Sequence, residues 1–247
     1  MCRHLAYLGP AVTLASLVQE PSHSLFEQSW SPRDMRGGGS VNADGFGLGW
    51  YVDGQSVRYR RNVPIWTDDN LPELAGSIRS GAVIAAVRNG TDGMPHTESS
   101  VSPFKVGNWM FSHNGRLPGW PESTVKLAEQ LPVAELLKLD APVDSALLFA
   151  LVSNRLRDGI TPADAVASVV REVESVAPGS RLNLLLTDGE QIVATSWTHS
   201  LRVRQTADSV TVSSEPFGSA DWDEVPDRSL LVATATTLQI TPMEGRE

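Results

Sequence analysis

Met1-Cys2-Arg3-His4-Leu5-Ala6-Tyr7-Leu8-Gly9 holds the only cysteine of the 247 residues, directly behind a methionine. Removal of that methionine would leave one residue carrying both a thiol and a free α-amino group. A thiol of pKa about 8.5 is mostly protonated at neutral pH, whereas an α-amino group at about 7.7–8.0 is partly neutral and can serve as a local base. Nucleophile and base would then share one residue, as in the threonine/N-terminal-amine pairing. A lone cysteine is also commonly a buried, inert packing residue, so the rest of the chain has to decide. The loose alternation from Cys2 to Leu8 predicts a short strand ending at Gly9-Pro10, then a turn and a short helix near Thr13 to Val18. That places the start of the chain in a sheet.

Working outward, 247 residues suffice for a sizeable core without staples. One cysteine excludes an intrachain disulfide framework and a cysteine-rich zinc site, and fits a reducing compartment. The balance of 20 Lys plus Arg against 29 Asp plus Glu, a formal charge of −9, disfavours a nucleic-acid partner and suits a cationic small molecule. Leu5 to Val18 imitates a signal-peptide core, but Gly9-Pro10 interrupts it and no small-residue cleavage site follows. No other window approaches the roughly 20 apolar residues of a membrane span. A cytoplasmic protein without membrane contact is expected, and a homo-oligomer stays open.

Glu20 to Val41 reads as a long loop, loosest at Arg36-Gly37-Gly38-Gly39-Ser40, and loops of this length tend to bind or to be disordered. Asn42-Ala43-Asp44-Gly45-Phe46-Gly47-Leu48-Gly49-Trp50-Tyr51 reads as a turn entering a strand whose alternate glycines allow close backbone approach. Gly81 to Val87 and Trp109 to Ser112 predict central strands that deliver loops to one site. Pro121 to Leu131 and Val133 to Leu139 are weakly helical; Asp144 to Arg157 is a stronger helix, apolar almost all round. Thr161-Pro162-Ala163-Asp164 is a good helix start, and Val166, Val169, Val170 and Val173 share one stripe. Arg181 to Thr187, the Asp188-Gly189 turn, Ile192 to Trp197 and shorter runs to Ile240 return to strand. One domain of stacked sheets and helices is the expectation.

Three further segments could carry chemistry. Phe111-Ser112-His113-Asn114-Gly115 closes a strand with Asn-Gly, which can turn sharply and offer a side-chain amide and a bare backbone N–H to an oxyanion; the same pair is also an ordinary hairpin turn. Arg88, followed by Asn89-Gly90-Thr91-Asp92-Gly93, suits bidentate carboxylate binding or a surface ion pair. Asp144 could cap its helix or bind an ammonium. His4, His23, His96, His113 and His199 show no zinc-hydrolase spacing, so no metal or other cofactor is expected; His96 is expected to face solvent.

Cys2 behind Met1, the Arg88 segment after a strand, Ser112-His113-Asn114-Gly115 and Asp144-Ser145 opening a helix occur in an order that resembles the class II glutamine amidotransferases of the N-terminal-nucleophile hydrolase superfamily. The resemblance implies an α+β fold, a four-layer αββα sandwich over residues 2–247, with Met1 removed and Cys2 as nucleophile and amine base. It also implies Asn114 and Gly115 as the oxyanion hole, Arg88 on the α-carboxylate and Asp144 on the α-ammonium of a glutamyl group. Thr91 would line the pocket, and His113 would brace the oxyanion segment at the substrate. The family's aromatic-alanine pair after the arginine is Asn89-Gly90 here, and its acid two positions after the aspartate is Ala146, so pocket floor and helix packing should differ.

Cys2 to Gly9, Asn42 to Gly47 and Ser213-Ser214-Glu215-Pro216-Phe217 further resemble the ergothioneine-biosynthesis amidohydrolases. That likeness implies hydrolysis of γ-glutamyl-hercynylcysteine sulfoxide, whose leaving group carries a trimethylammonium. Trp30, Trp120 and Trp222 are candidates for it, although tryptophans mostly pack in or near cores. A stand-alone glutaminase, an ammonia-donating subunit and a catalytically silent binding protein of the same fold remain the alternatives.

Overall fold

The computed structural model describes residues 2–36, 41–91 and 93–243. The expectations for Met1, for the Gly37–Ser40 part of the long loop, for Asp92 and for 244–247 lie outside the described residues.

In chain order, β1 (Arg3–Thr13) is followed by the short helices α1 (Ala15–Val18) and α2 (Leu25–Gln28) and the hairpin of β2 (Phe46–Val52) and β3 (Gln55–Arg61). Helix α3 (Leu71–Ser77), β4 (Arg79–Val87), β5 (Phe104–Val106) and β6 (Trp109–Arg116) come next. Then α4 (Val125–Ala128), α5 (Val133–Leu136), α6 (Asp144–Arg157) and α7 (Pro162–Val176) separate these strands from β7 (Arg181–Thr187) and β8 (Ile192–Ser196). The chain continues through β9 (Arg202–Gln205), β10 (Val210–Ser213), β11 (Asp223–Glu224), β12 (Ser229–Ala233) and β13 (Leu238–Pro242).

Among the described residues these strands form a seven-stranded sheet, β11-β9-β10-β1-β4-β2-β3, and a six-stranded sheet, β13-β12-β8-β7-β6-β5. Side chains alternate across a strand, and that alternation builds the layers. Leu5 and Tyr7 of β1 pack outward with Leu14, Leu17, Leu25 and Leu71 from the α1–α3 region. Ala6 and Leu8 face the other way, against Met110, Leu185, Ile192 and Ala194 of the second sheet. On the far side of that sheet, Phe111, Leu182, Leu184 and Leu186 lie under Leu147, Leu148 and Val152 of α6 and Val166, Val169, Val170 and Val173 of α7. Each such fully buried side chain contributes about 1.5–3 kcal/mol. The order helix, sheet, sheet, helix is the αββα sandwich of the N-terminal-nucleophile hydrolases.

Close approach of the sheets is built into β2. A Cβ on Gly47 would lie 2.1 Å from Ser102 O, and one on Gly49 2.5 Å from Met110 Sδ. Thr161 caps α7 as expected, its hydroxyl accepting from Asp164 N at 3.2 Å.

Three expectations are corrected. β1 does not end at Gly9-Pro10: it runs on to Thr13 through a register shift between Leu8 and Val12, and such an irregularity tolerates a proline. Asn114-Gly115 makes no turn either. Both residues sit within the β6–β7 ladder, opposite Asn183 and Leu182, because a partner strand from far along the chain holds them extended. Asp144 is not the cap of α6; Val143 occupies that position without a side-chain hydrogen bond.

Candidate active site

The register of β1 assembles the site. Arg3 pairs with Val87 and His4 with Ala86, so Cys2 and Arg88 leave the β1–β4 ladder side by side. Cys2 and His4 share the parity of Ala6, which faces the second sheet, and His4 Nδ1 meets Ser112 Oγ of β6 at 3.1 Å. Cys2, Arg88, Ser100, Ser112, His113 and Ser145 line one small cavity there. The Cys2 thiol is half-buried and lies 3.8 Å from Asn89 O. A roomier groove of about 460 Å³, between Arg171, Glu172, Trp197 and Arg228, offers only the hydroxyls of Ser168 and Ser175 and no thiol or histidine among its lining residues, so chemistry rather than volume selects the cavity at Cys2.

Arg88 is buried; Nη2 donates to Pro95 O at 3.2 Å, while Nη1 has no hydrogen-bond partner among the described residues. The glycine of Asn89-Gly90 has a local cause, since a Cβ on Gly90 would press to 3.1 Å from the guanidinium. Asp44 ties this loop down: Arg88 N donates to Gly45 O at 2.7 Å, Asp44 N to Arg88 O at 3.0 Å, and Gly90 N to the Asp44 carboxylate at 2.7 Å. Gly45, at φ +130° and with Arg61 O 2.7 Å from a would-be Cβ, has to be glycine. Asp44 was not foreseen as a site residue; its signal was the Asp-Gly pair entering β2.

Asn114 is buried, with the parity of Met110 and Ser112, and so faces the first sheet. Among the described residues its Nδ2 makes only a long 3.4 Å bond to Ser214 Oγ, and its Oδ1 has no partner. β5 pairs with β6 only at Trp109–Phe111, so beyond Phe111 neither Asn114 nor Gly115 has a strand partner on that edge. A Cβ on Gly115 would fall 1.8 Å from Arg181 O, which forbids any larger residue. His113 points toward α6: Nε2 donates to Arg181 O at 2.8 Å, and Nδ1 lies 3.1 Å from Ser145 Oγ and 4.0 Å from the Asp144 carboxylate. Asp144 accepts from Ser145 N at 2.7 Å through Oδ1, while its buried Oδ2 has no partner among the described residues. Thr91 is exposed, accepts from Met94 N at 3.0 Å and is not among the residues lining the cavity. His96 is exposed, 3.6 Å from the Asp44 carboxylate.

The surroundings are apolar and cationic. Burial first, then neighbouring His113, His199 and Arg3, lower the His4 pKa from 6.5 to about 3. His199 is lowered to about 3 by burial and then by Arg181, Arg3 and His113. Both imidazoles are therefore neutral at physiological pH. A buried unpaired polar atom costs about 1–3 kcal/mol. The spare donor on Arg88 and the spare acceptor on Asp144 match a carboxylate and an ammonium respectively. Among the described residues no cluster of His, Cys, Asp and Glu could hold a metal ion.

Of the three tryptophans, Trp222 is committed to packing, with Nε1 donating to Phe217 O at 3.1 Å and its ring against Phe217. Trp120 packs on the helical core. Trp30 stays 40% exposed and stands edge-on to the equally open Trp66, ring centres 5.7 Å apart.

The sequence profile of the glutamine amidotransferases class-II matches residues 19–223. The γ-glutamyl-hercynylcysteine sulfoxide hydrolase of Mycolicibacterium smegmatis is 36% identical over 98% of this chain and 100% of its own. Among solved structures, a glutamine aminotransferase class-II domain protein from Silicibacter pomeroyi superimposes with a TM-score of 0.70 at 23% identity, covering 98% of this chain and 100% of that one. The glutamine phosphoribosylpyrophosphate amidotransferase of Bacillus subtilis gives 0.66 at 16% identity, covering 98% of this chain and 49% of that longer one. With a profile spanning most of its length and a full-length relative above one third identity, the chain belongs to the class II glutamine amidotransferase family.

Proposed function

We propose that this chain is an amidohydrolase that removes the γ-glutamyl group from γ-glutamyl-hercynylcysteine sulfoxide, giving glutamate and hercynylcysteine sulfoxide, and that it does so as one domain of residues 2–247 after loss of Met1. The substrate follows the full-length mycobacterial relative. The observation that carries the chemistry is the convergence of Cys2 and Arg88 in one cavity, with unpaired buried polar atoms on Arg88, Asn114 and Asp144. Arg88 takes the α-carboxylate of the glutamyl group and Asp144 its α-ammonium, so binding at the far end orients the γ-amide. The Cys2 sulfur attacks the γ-carbonyl carbon as the α-amine accepts the thiol proton. Asn114 Nδ2 and Gly115 N–H stabilise the oxyanion. Its collapse breaks the C–N bond, the new ammonium protonates the departing amine, and water then cleaves the thioester to release glutamate. His113 holds β6 against α6 and β7 so that Asn114 keeps its aim. The single cysteine fits a cytoplasmic setting, and no helix of the described residues is long and apolar enough to cross a membrane.

Glutamine is the competing substrate that the family profile alone favours. Glutamate release from equal concentrations of γ-glutamyl-hercynylcysteine sulfoxide and of glutamine separates the two, with the sulfoxide expected to give the higher kcat/KM. Cys2→Ala should lower turnover by ~10³-fold or more and retain binding. A Cys2→Ala protein that still turns over, or a mature protein that works with Met1 in place, defeats the mechanism.

A further inference from the structure

A second cluster lies on the opposite face of the same strand start, and the mechanism does not use it. Continuing the β1–β10 register past Leu5↔Ser213 brings Glu215 opposite Arg3. Ser214 N donates to His4 O at 2.9 Å, and His4 N donates to Ser214 Oγ at 3.0 Å, which keeps that continuation in place. Glu215 is 2% exposed, and its carboxylate is saturated. Arg3 Nε donates to Oε1 at 2.8 Å and His23 Nε2 to Oε2 at 2.7 Å. The backbone N–H groups of Arg33 and Asp34 add bonds of 2.8 and 3.2 Å. Burial alone would raise the Glu215 pKa, but these bonds and the Arg3 charge hold it below the usual carboxylate range.

Arg3 carries the contact onward. Its Nη1 donates to the carbonyl of Cys2 at 3.1 Å, and its Nη2 donates to Asp34 O. One planar guanidinium, oriented by a carboxylate, thus grips the peptide group of Cys2 and the long loop at once. A guanidinium fork fixes direction as well as distance.

We propose that Glu215 is a positioning residue: through Arg3 it fixes the carbonyl of Cys2, and hence the direction of the sulfur and amine, and locks that direction to the Arg33–Asp34 stretch of the loop. This rests on Cys2 as nucleophile. The carboxylate never meets the substrate; its effect is alignment, and misplacement of a reacting group by about 1 Å can cost ~10²-fold.

The test uses the full-length protein with γ-glutamyl-hercynylcysteine sulfoxide, and counts competent sites by complete labelling with the glutamine analogue 6-diazo-5-oxo-L-norleucine, read by intact mass. Glu215→Gln and Arg3→Lys should each lower kcat per labelled site ~100-fold with KM changed less than ~3-fold. The double variant should lose no more than the worse single one, because both break one device. Alkylation of Cys2 by iodoacetamide, which needs no alignment, should keep its rate. A purely structural role would lower the number of labelled sites and leave kcat per site intact. Should Glu215→Gln fail to fold, His23→Gln leaves the Arg3–Glu215 pair in place and should lower kcat per site ~3- to 10-fold. A kcat per site within twofold of the parent in the folded variant, or iodoacetamide reactivity falling in step with kcat, overturns the proposal. A parent protein that takes no label on Cys2 defeats the nucleophile reading itself, a different and separately visible failure.

Discussion

The two faces of β1 at its start are built on opposite plans. Outward, Arg3 has Nε, Nη1 and Nη2 each bonded, to Glu215, to Cys2 O and to Asp34 O. Inward, from β1 across β6 to α6, four buried atoms have no partner among the described residues: His4 Nε2, Arg88 Nη1, Asn114 Oδ1 and Asp144 Oδ2. A spacing of one residue separates them, because alternate side chains of a strand point to opposite faces. Support is saturated on one side so that hydrogen-bonding capacity can stay unspent on the other. In the proposed mechanism stability is given up where the substrate binds, the usual trade between a rigid frame and a polar site.

Breaking the inner face should therefore damage turnover far more than stability. Asn114→Ala is expected to lower kcat by ~10²–10³-fold, the usual loss for one oxyanion donor. Its melting temperature should hold or rise, since the substitution deletes a buried amide oxygen with no partner among the described residues. Arg88→Ala should act mainly on KM, with kcat/KM reduced ~10²-fold. Steady-state kinetics beside thermal denaturation checks both. A fall of more than about 5 °C with turnover kept, roughly 1–2 kcal/mol for a chain of this size, would show the inner residues to be structural and erase the contrast.

The pH dependence sharpens it. His4 and His199 stay neutral in the folded protein down to about pH 3, whereas in the unfolded chain they protonate near 6.5. Above that the two states bind protons alike. As pH falls from 6.5 toward 3 the unfolded state takes up protons that the folded state refuses, so stability declines, by several kcal/mol if both shifts are fully expressed. Glu215, lowered from 4.5, adds its own loss only below that value. Urea midpoints should thus fall already between pH 6.5 and 5. His199→Gln should flatten that limb, and Glu215→Gln should spare it while making the decline below pH 4.5 shallower. A midpoint that stays level from pH 7 to 5 would contradict buried neutral histidines.

Much of this was readable beforehand where local rules suffice. Asp144 to Arg157 and Arg181 to Thr187 match their elements because apolar runs and caps are short-range signals. Cys2, Arg88 and Asp144 were legible as candidates because each sits where an element opens or closes, and Asn114 through its Asn-Gly pair. What escaped depends on distant partners. Asn114-Gly115 looks like a turn until β7, some seventy residues later, pairs with it. Asp44 matters through a bond to Gly90 N, and Glu215 through a strand pairing that spans nearly the whole chain. Thr91 was drawn inward by resemblance, yet its loop turns it out to solvent, where Met94 N bonds back to its carbonyl.

The smallest expected effect concerns the rim of the cavity. The Phe46↔Arg61 pair lies level with Val87, so the chain leaves β3 beside the end of β4, and Asn62 Nδ2 fastens it to His96 O of the arginine loop at 3.1 Å. Trp66 follows on that segment, and Trp30 meets it from the long loop. Two open indoles at 89° to one another offer π-faces to a trimethylammonium, a contact worth about 0.5–2 kcal/mol according to its desolvation. Trp30→Ala and Trp66→Ala should therefore raise KM about 3- to 30-fold for the hercynyl substrate and leave KM for glutamine unchanged, since glutamine has no cationic leaving group. Trp222→Ala, which removes a ring packed on Phe217, should instead lower stability without that discrimination. Equal KM changes on both substrates would reduce Trp30 and Trp66 to packing residues, and selectivity would then have to come from elsewhere on the rim.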